Sequence, residues 1–210
     1  IFKMAAKAAQ EGADVCSVCL KPFRVYSVGR DNEPMRFTCC GKSMHEYCMR
    51  PAMQRALDQG TLMSWKTHCP WCGAKSDASI NEQEQHARNL RWAKGGKAWA
   101  MFRVGQNFMN GGGVAQSFEM ARLWFEKAAE AEHGSGSEAQ FELAYMHSHG
   151  QGGLTVSKEK ARFWYEKSAC QEGSRCAESQ NNLGLLYAKG LGGPKSVEHA
   201  MFWYGRAAKQ

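Results

Sequence analysis

Residues 97–210 carry one pattern three times, and this repetition limits the possible folds more than any other feature of the chain. Val104-Gly105, Leu143-Ala144 and Leu183-Gly184 lie 39 and 40 residues apart, and Phe108, His147 and Tyr187 follow each pair at one common offset. Glycine clusters come next, at 111–113, 150–153 and 190–193. Ala121, Ala161 and Ala200 then precede the aromatic pairs Trp124-Phe125, Trp164-Tyr165 and Trp203-Tyr204, and the units close on Ala128-Ala129, Ser168-Ala169 and Ala207-Ala208. A fixed period of this kind predicts stacked helical hairpins, none of which can bury its apolar face alone. Small residues such as Gly105 and Ala121 stand where helices must approach closely, and the glycines supply inter-helix turns with positive φ. In the second helix of the first unit, Met120, Trp124 and Ala128 recur every four residues as one stripe, which reads as core rather than as a ligand box. In the last unit Met201, Phe202 and Trp203 have no following repeat to cover them. That predicts either further chain beyond Gln210 or a partner there.

On the pattern A-x-A…L-G-x-x-Y-x-x-G-x-G…A-x-x-W-Y-x-K-A-A, the segment resembles the Sel-one-like repeats, relatives of the tetratricopeptide repeat. The resemblance covers three copies, about 97–134, 135–174 and 175–210, and the period and turn glycines do not fit the 34-residue tetratricopeptide unit. The second copy departs from the pattern: His147 replaces the tyrosine, Ala144 the glycine, and an extra residue stands near Gly153. The resemblance implies an adaptor scaffold that holds a substrate or a complex subunit on its repeats.

The other informative stretch precedes the repeats. Seven of nine cysteines fall between Cys16 and Cys72, reading C-S-V-C, then C-C-G-K-S-M-H-E-Y-C, then C-P-W-C. Cys16, Cys19, Cys39, Cys40, His45, Cys48, Cys69 and Cys72 make eight candidate ligands, the number two tetrahedral zinc ions require. Spaced cysteine pairs with histidine favour metal over a disulfide framework. Adjacent ligands are geometrically permissible, because two sulfurs on one zinc lie about 3.8 Å apart, as do neighbouring Cα atoms. His68 is the substitute should only one of Cys39 and Cys40 bind.

The ligand order, four cysteines, histidine, three cysteines, looks like a RING-type finger. The resemblance implies a cross-brace in which Cys16, Cys19, His45 and Cys48 hold one zinc, and Cys39, Cys40, Cys69 and Cys72 the other. It further implies a ubiquitin ligase that docks a conjugating enzyme and acts by positioning, with no catalytic side chain of its own. Val18, Met49, Met53, Pro70 and Trp71 would form the docking surface. Gly73 stands where such ligases often carry a basic residue, which keeps a non-enzymatic scaffold with purely structural zinc as the alternative. Histidine in fifth place is also the order of plant-homeodomain fingers, which read histone tails. Those carry a tryptophan two residues before the seventh ligand, where this chain has Thr67.

The rest of the chain is quieter. Residues 1–13 read as a helix end or linker stopped by Gly12, and Lys21 to Arg36 as a loop. Arg50 to Gly60 reads as a short helix with Pro51 in its first turn. Ser79-Ile80-Asn81-Glu82 is a capping-box pattern opening a helix to about Lys94, ended by Gly95-Gly96. The expected layout is therefore a finger at 14–78, a linker helix at 79–96 and repeats at 97–210. The expected fold is mostly α, a small two-zinc cross-brace module followed by an α-solenoid of three helical hairpins.

Two zinc ions add four positive charges and seven thiolates remove seven, so the formal +7 falls to +4 on loading. Without a dense Lys/Arg cluster this argues against nucleic acid as a partner. No apolar run reaches membrane-spanning length and the opening lacks the apolar core of a secretory signal, so an intracellular site, cytoplasmic or nuclear, is expected. The start at Ile1 reads as that of a fragment. Gly41-Lys42-Ser43 is not a phosphate loop, since Arg36 occupies the place of its first glycine. His133, His147 and His149 read as surface or turn residues, and Cys170 and Cys176 as free thiols.

Overall fold

The computed structural model describes residues 80–131, 136–170 and 176–209, together with 35–36, 43–44, 54, 58 and 74–75. It divides into two compact units, Ile1–Trp92 and Ala93–Gln210.

In the first unit, β1 (Met35–Arg36) pairs antiparallel with β2 (Ser43–Met44), placing Met35 opposite Met44 and Arg36 opposite Ser43. The end of the expected 21–36 loop is thus a strand. Gln54 and Asp58 are helical, and Gln54 Nε2 donates to Asp58 Oδ1 at 3.0 Å. The remainder of the expected 50–60 helix lies outside the described residues.

Helix α1 (Glu82–Lys94) starts two residues later than a cap on Ser79 would require. Asn81 is the cap instead: its Oδ1 accepts from the Glu84 backbone N–H at 2.8 Å and its carbonyl from that of Gln85. The expected cap on Ser79 is thus corrected to one on Asn81, and the Glu84 carboxylate pairs with Arg88 at 2.9 Å. Gly96, at φ +83°, closes the helix by donating to the Ala93 carbonyl.

The second unit stacks three hairpins. Their first helices are α2 (Ala98–Asn110), α4 (Gly136–His149) and α6 (Cys176–Lys189). Their second helices are α3 (Phe118–Glu130), α5 (Lys158–Ala169) and α7 (Val197–Ala207). Each helix from α3 to α6 packs against the one before it and the one after it.

The three turns are built alike. Gly111, Gly150 and Gly190 take φ of +77°, +70° and +67°, a left-handed geometry that costs glycine little. Ser117, Ser157 and Ser196 then cap the second helices, each hydroxyl accepting from the backbone N–H three residues on. The same serines donate their backbone N–H to the Phe108, His147 and Tyr187 carbonyls, closing each turn identically.

Two core clusters follow from the stacking. Phe102, Ala121, Phe125, Ala128, Ala139, Leu143 and Met146 form the first. Ala144, Ala161, Tyr165, Ala169, Leu183, Leu186 and Trp203 form the second, and Trp164 packs against both. The buried stripe of α3 is Ala121, Phe125 and Ala128; Met120 is exposed and Trp124 only half-buried. The expected stripe is therefore corrected by one residue at two of its three positions. Trp203 is likewise buried in the second cluster, so that of Met201, Phe202 and Trp203 only the first two are exposed.

Gly105 and Gly184 have one job. A Cβ at Gly105 would lie 2.5 Å from Phe125 Cε1, and one at Gly184 would lie 2.8 Å from Tyr204 Cε1. Ala144, the departure in the second copy, sits beside Tyr165 in the second core cluster. No helix of the described residues is long and apolar enough to cross a membrane.

Candidate functional site

The sites of the second unit lie at its repeat junctions and along its helix faces. At the first junction Arg122 of α3 pairs with Glu126 at 2.7 Å, and its Nε donates to the Gly152 carbonyl in the next turn at 3.0 Å. At the second, Arg162 of α5 pairs with Glu166 at 3.3 Å and lies 3.6 Å from the centre of the Tyr187 ring, whose hydroxyl donates to Glu166 Oε1. The repeat register places His147 where Tyr187 stands. His147 is buried, not the surface or turn residue expected, and its Nδ1 has no hydrogen-bond partner. Burial holds its pKa below the usual value, reinforced by Lys160 and Arg122 and opposed by Glu126. The third copy carries Met201 and Gly205 where the others have the Arg–Glu pair.

A second polar element crosses the later junction. Ser168 Oγ donates to the Ser137 carbonyl at 2.8 Å, and Ser179 Oγ lies 2.6 Å from Ser168 Oγ. A hydroxyl has one proton, so the Ser179 hydroxyl donates to Ser168. Burial raises the Tyr165 pKa, against a side-chain hydrogen bond from Asn182 to the Tyr165 oxygen that lowers it.

Along the first helices, equivalent positions lie on the solvent side in successive copies, half-buried at Gln106 and exposed at the others. Gln106, Tyr145 and Leu185 share one register, and Asn110, His149 and Lys189 the next turn. Tyr145 and Leu185 are 40% and 41% exposed, and Tyr145 stacks on His149 with ring centres 4.0 Å apart. His149 is the exposed residue that the sequence suggested. Cys170 is a free, exposed thiol.

All eight expected zinc ligands (Cys16, Cys19, Cys39, Cys40, His45, Cys48, Cys69 and Cys72) lie outside the described residues, as do Val18, Met49, Met53, Pro70 and Trp71. Among the described residues no cluster of His, Cys, Asp or Glu could hold a metal ion. Sequence reasoning missed the serine caps and the Arg–Glu seam, although S-x-E three residues ahead of each second-helix segment M-A, K-A or H-A was there to be read.

Residues 100–133, 137–172 and 177–210 match the family model of the Sel1 repeat. No curated protein matches the chain. Among solved structures the chain is similar to a Sel1 repeat protein from Oxalobacter formigenes, with 23% identity and a TM-score of 0.56 over 76% of this chain and 64% of that one. It is also similar to c5321, a protective antigen of uropathogenic Escherichia coli strains displaying an SLR fold. There the identity is 23% and the TM-score 0.57, over 82% of this chain and 36% of that one. The chain thus spans less than two thirds of either neighbour, and the likeness is one of fold.

Proposed function

We propose that this chain, residues 100–210 of which are Sel1 repeats, is a protein-binding scaffold that couples a partner held on the repeats to a zinc-folded module at 14–78. The observation that carries the binding reading is the shared register of Gln106, Tyr145 and Leu185 with Asn110, His149 and Lys189. Three rigid hairpins repeat a mixed polar and apolar surface along the array, which suits an extended polypeptide rather than a small enclosed substrate.

The finger half of the proposal rests on ligand order. Two zinc ions would be held by Cys16, Cys19, His45 and Cys48, and by Cys39, Cys40, Cys69 and Cys72. The short β1–β2 ribbon brackets Cys39 and Cys40 in sequence, in keeping with a small metal-folded module. Such a RING-type module would recruit a ubiquitin-conjugating enzyme through Val18, Met49, Met53, Pro70 and Trp71, and act by orienting its thioester. Gly73, in place of a basic residue, specifically favours the second reading, a scaffold whose zinc is structural only.

An autoubiquitination assay across a panel of conjugating enzymes decides between them. Chain formation that Val18→Ala plus Pro70→Ala abolishes, at unchanged zinc content, is the expected ligase result; no activity with any enzyme sinks it. For the repeats, Tyr145→Ala plus Leu185→Ala should release a protein that the wild-type chain retains in affinity purification from its native source.

A further inference from the structure

We infer that α7 carries the contact face of a weak two-fold dimer, whose occupant is the α7 of a second copy of this chain, laid antiparallel. The first two copies show what this side of a second helix is built for. Phe125 is fully buried with Leu143 of α4, and Tyr165 with Leu183 and Leu186 of α6, so each is covered by the first helix of the next hairpin. The Arg122–Glu126 and Arg162–Glu166 pairs fasten that hairpin, through the Gly152 carbonyl and the Tyr187 side chain. The third copy keeps the aromatic as Tyr204, which packs on Gly184 as Phe125 packs on Gly105, yet Tyr204 is 37% exposed. It replaces the arginine and the glutamate by Met201 and Gly205. The face is still shaped for a helix, and both fastening charges are gone from it.

Val197, Met201, Tyr204 and Ala208 follow one another at intervals of four, three and four residues, which sets them in one stripe along the helix. Val197 is 59% exposed and Met201 70%, and Ala208 is exposed as well. The stripe carries no charge, and Gly205, beside Met201, has nothing within 4 Å of the Cβ it lacks. Apolar residues exposed singly are ordinary on any surface. An uncharged stripe at the positions where two earlier copies seat a helix is a contact face.

Spacing and charge together select the occupant. Intervals of four, three and four read alike in both directions, so an antiparallel copy fits about a two-fold axis between Met201 and Tyr204. Val197 then meets the partner's Ala208, Met201 meets the partner's Tyr204, and the gap at Gly205 lies level with the partner's Met201. A two-fold contact has to be self-complementary. The charges beside the stripe meet that condition: exposed Glu198 near its start and exposed Lys209 at its end lie on one flank. Like flanks meet in an antiparallel pair, so each Glu198 comes within a turn of the partner's Lys209, twice per dimer. A further hairpin of the same kind, from this chain or from a copy stacked head to tail, is the competing occupant. It would find neither the arginine nor the glutamate that fastens the two earlier junctions.

One helix pair is a small contact, so sedimentation of the full chain should show a monomer–dimer equilibrium with a dissociation constant on the order of 10–100 μM. Met201→Arg restores the residue of the other two copies and sets two guanidinium groups beside the axis. It should weaken the dimer about tenfold or more. Phe163→Ser removes an equally exposed aromatic from α5, off the stripe, and should leave the equilibrium unchanged. Glu198→Lys and Lys209→Glu should each weaken the dimer about threefold, and the two together should restore it, as only the antiparallel pairing requires. Each variant is read with a circular dichroism spectrum that matches the wild type. A chain that stays monomeric up to about 500 μM, well above the expected range, overturns the inference. So does a dimer that survives Met201→Arg, or a double charge swap that recovers nothing. None of these results bears on what the first helices bind.

Discussion

A Cβ on Gly105 would enter the ring of Phe125, which is fully buried and has nowhere to move. Gly105→Ala should therefore destabilise the array by about 1–3 kcal/mol. Gly205 is also helical, yet nothing lies within 4 Å of the Cβ it lacks, so Gly205→Ala should stabilise by about 1 kcal/mol through helix propensity alone. Urea unfolding of the two variants checks the opposed signs. The role of Gly105 was legible in the sequence, because a small residue at a fixed place in a helical repeat marks a close helix–helix approach. That of His147 was not, since the groups burying it sit on helices remote in sequence. Its lowered pKa means that the folded state binds fewer protons than the unfolded chain once pH drops below about 6.5. Stability is accordingly lost from there down to the lowered folded value. His86, also lowered by burial, acts in the same direction. His147→Tyr supplies the residue found at the equivalent Tyr187 and removes one of the two such histidines among the described residues. The fall in melting temperature between pH 7.5 and pH 5.5 should shrink in that variant, and an unchanged fall would refute the assignment.

At the scale of the helix pair, the period was readable and the phase was not. Four-residue spacing picks out Met120, Trp124 and Ala128, but the face that meets the next hairpin is Ala121, Phe125 and Ala128. Bulk favours tryptophan as a core residue; the packing buries phenylalanine, because only Phe125 faces Gly105 across the hairpin. The second junction makes the same point with polar atoms. Ser168 and Ser179 occupy the positions that Ala128 and Ala139 hold at the first junction, and all four are fully buried. Removing only the Ser168 hydroxyl strands the Ser179 donor, so Ser168→Ala should cost about 1–3 kcal/mol. Ser168→Ala with Ser179→Ala recreates the apolar junction and should cost less than the two single changes added together. A double-mutant cycle of unfolding free energies measures that coupling, and strict additivity would show that the two hydroxyls do not depend on each other.

For the whole molecule, the question is whether one half stands without the other. Both core clusters of the second unit draw only on residues from Phe102 to Trp203, and stacked repeats are stabilised by neighbouring hairpins. The proposed finger would be built the opposite way, since a segment of about sixty residues with eight metal-ligating side chains would draw its stability from the metal. Zinc removal should therefore divide the chain at one place. Metal analysis of the purified chain should return close to two zinc ions, as the octet requires. A strong chelator should then raise hydrogen exchange throughout 16–72 and leave the amides of α2 to α7 protected. Near-zero zinc would end the metal reading outright. Loss of protection in the repeats would show that the array leans on the finger, against the self-contained clusters just described. Protection that persists at 16–72 after the metal is gone would mean that the apolar residues of that segment, not its thiolates, hold it together.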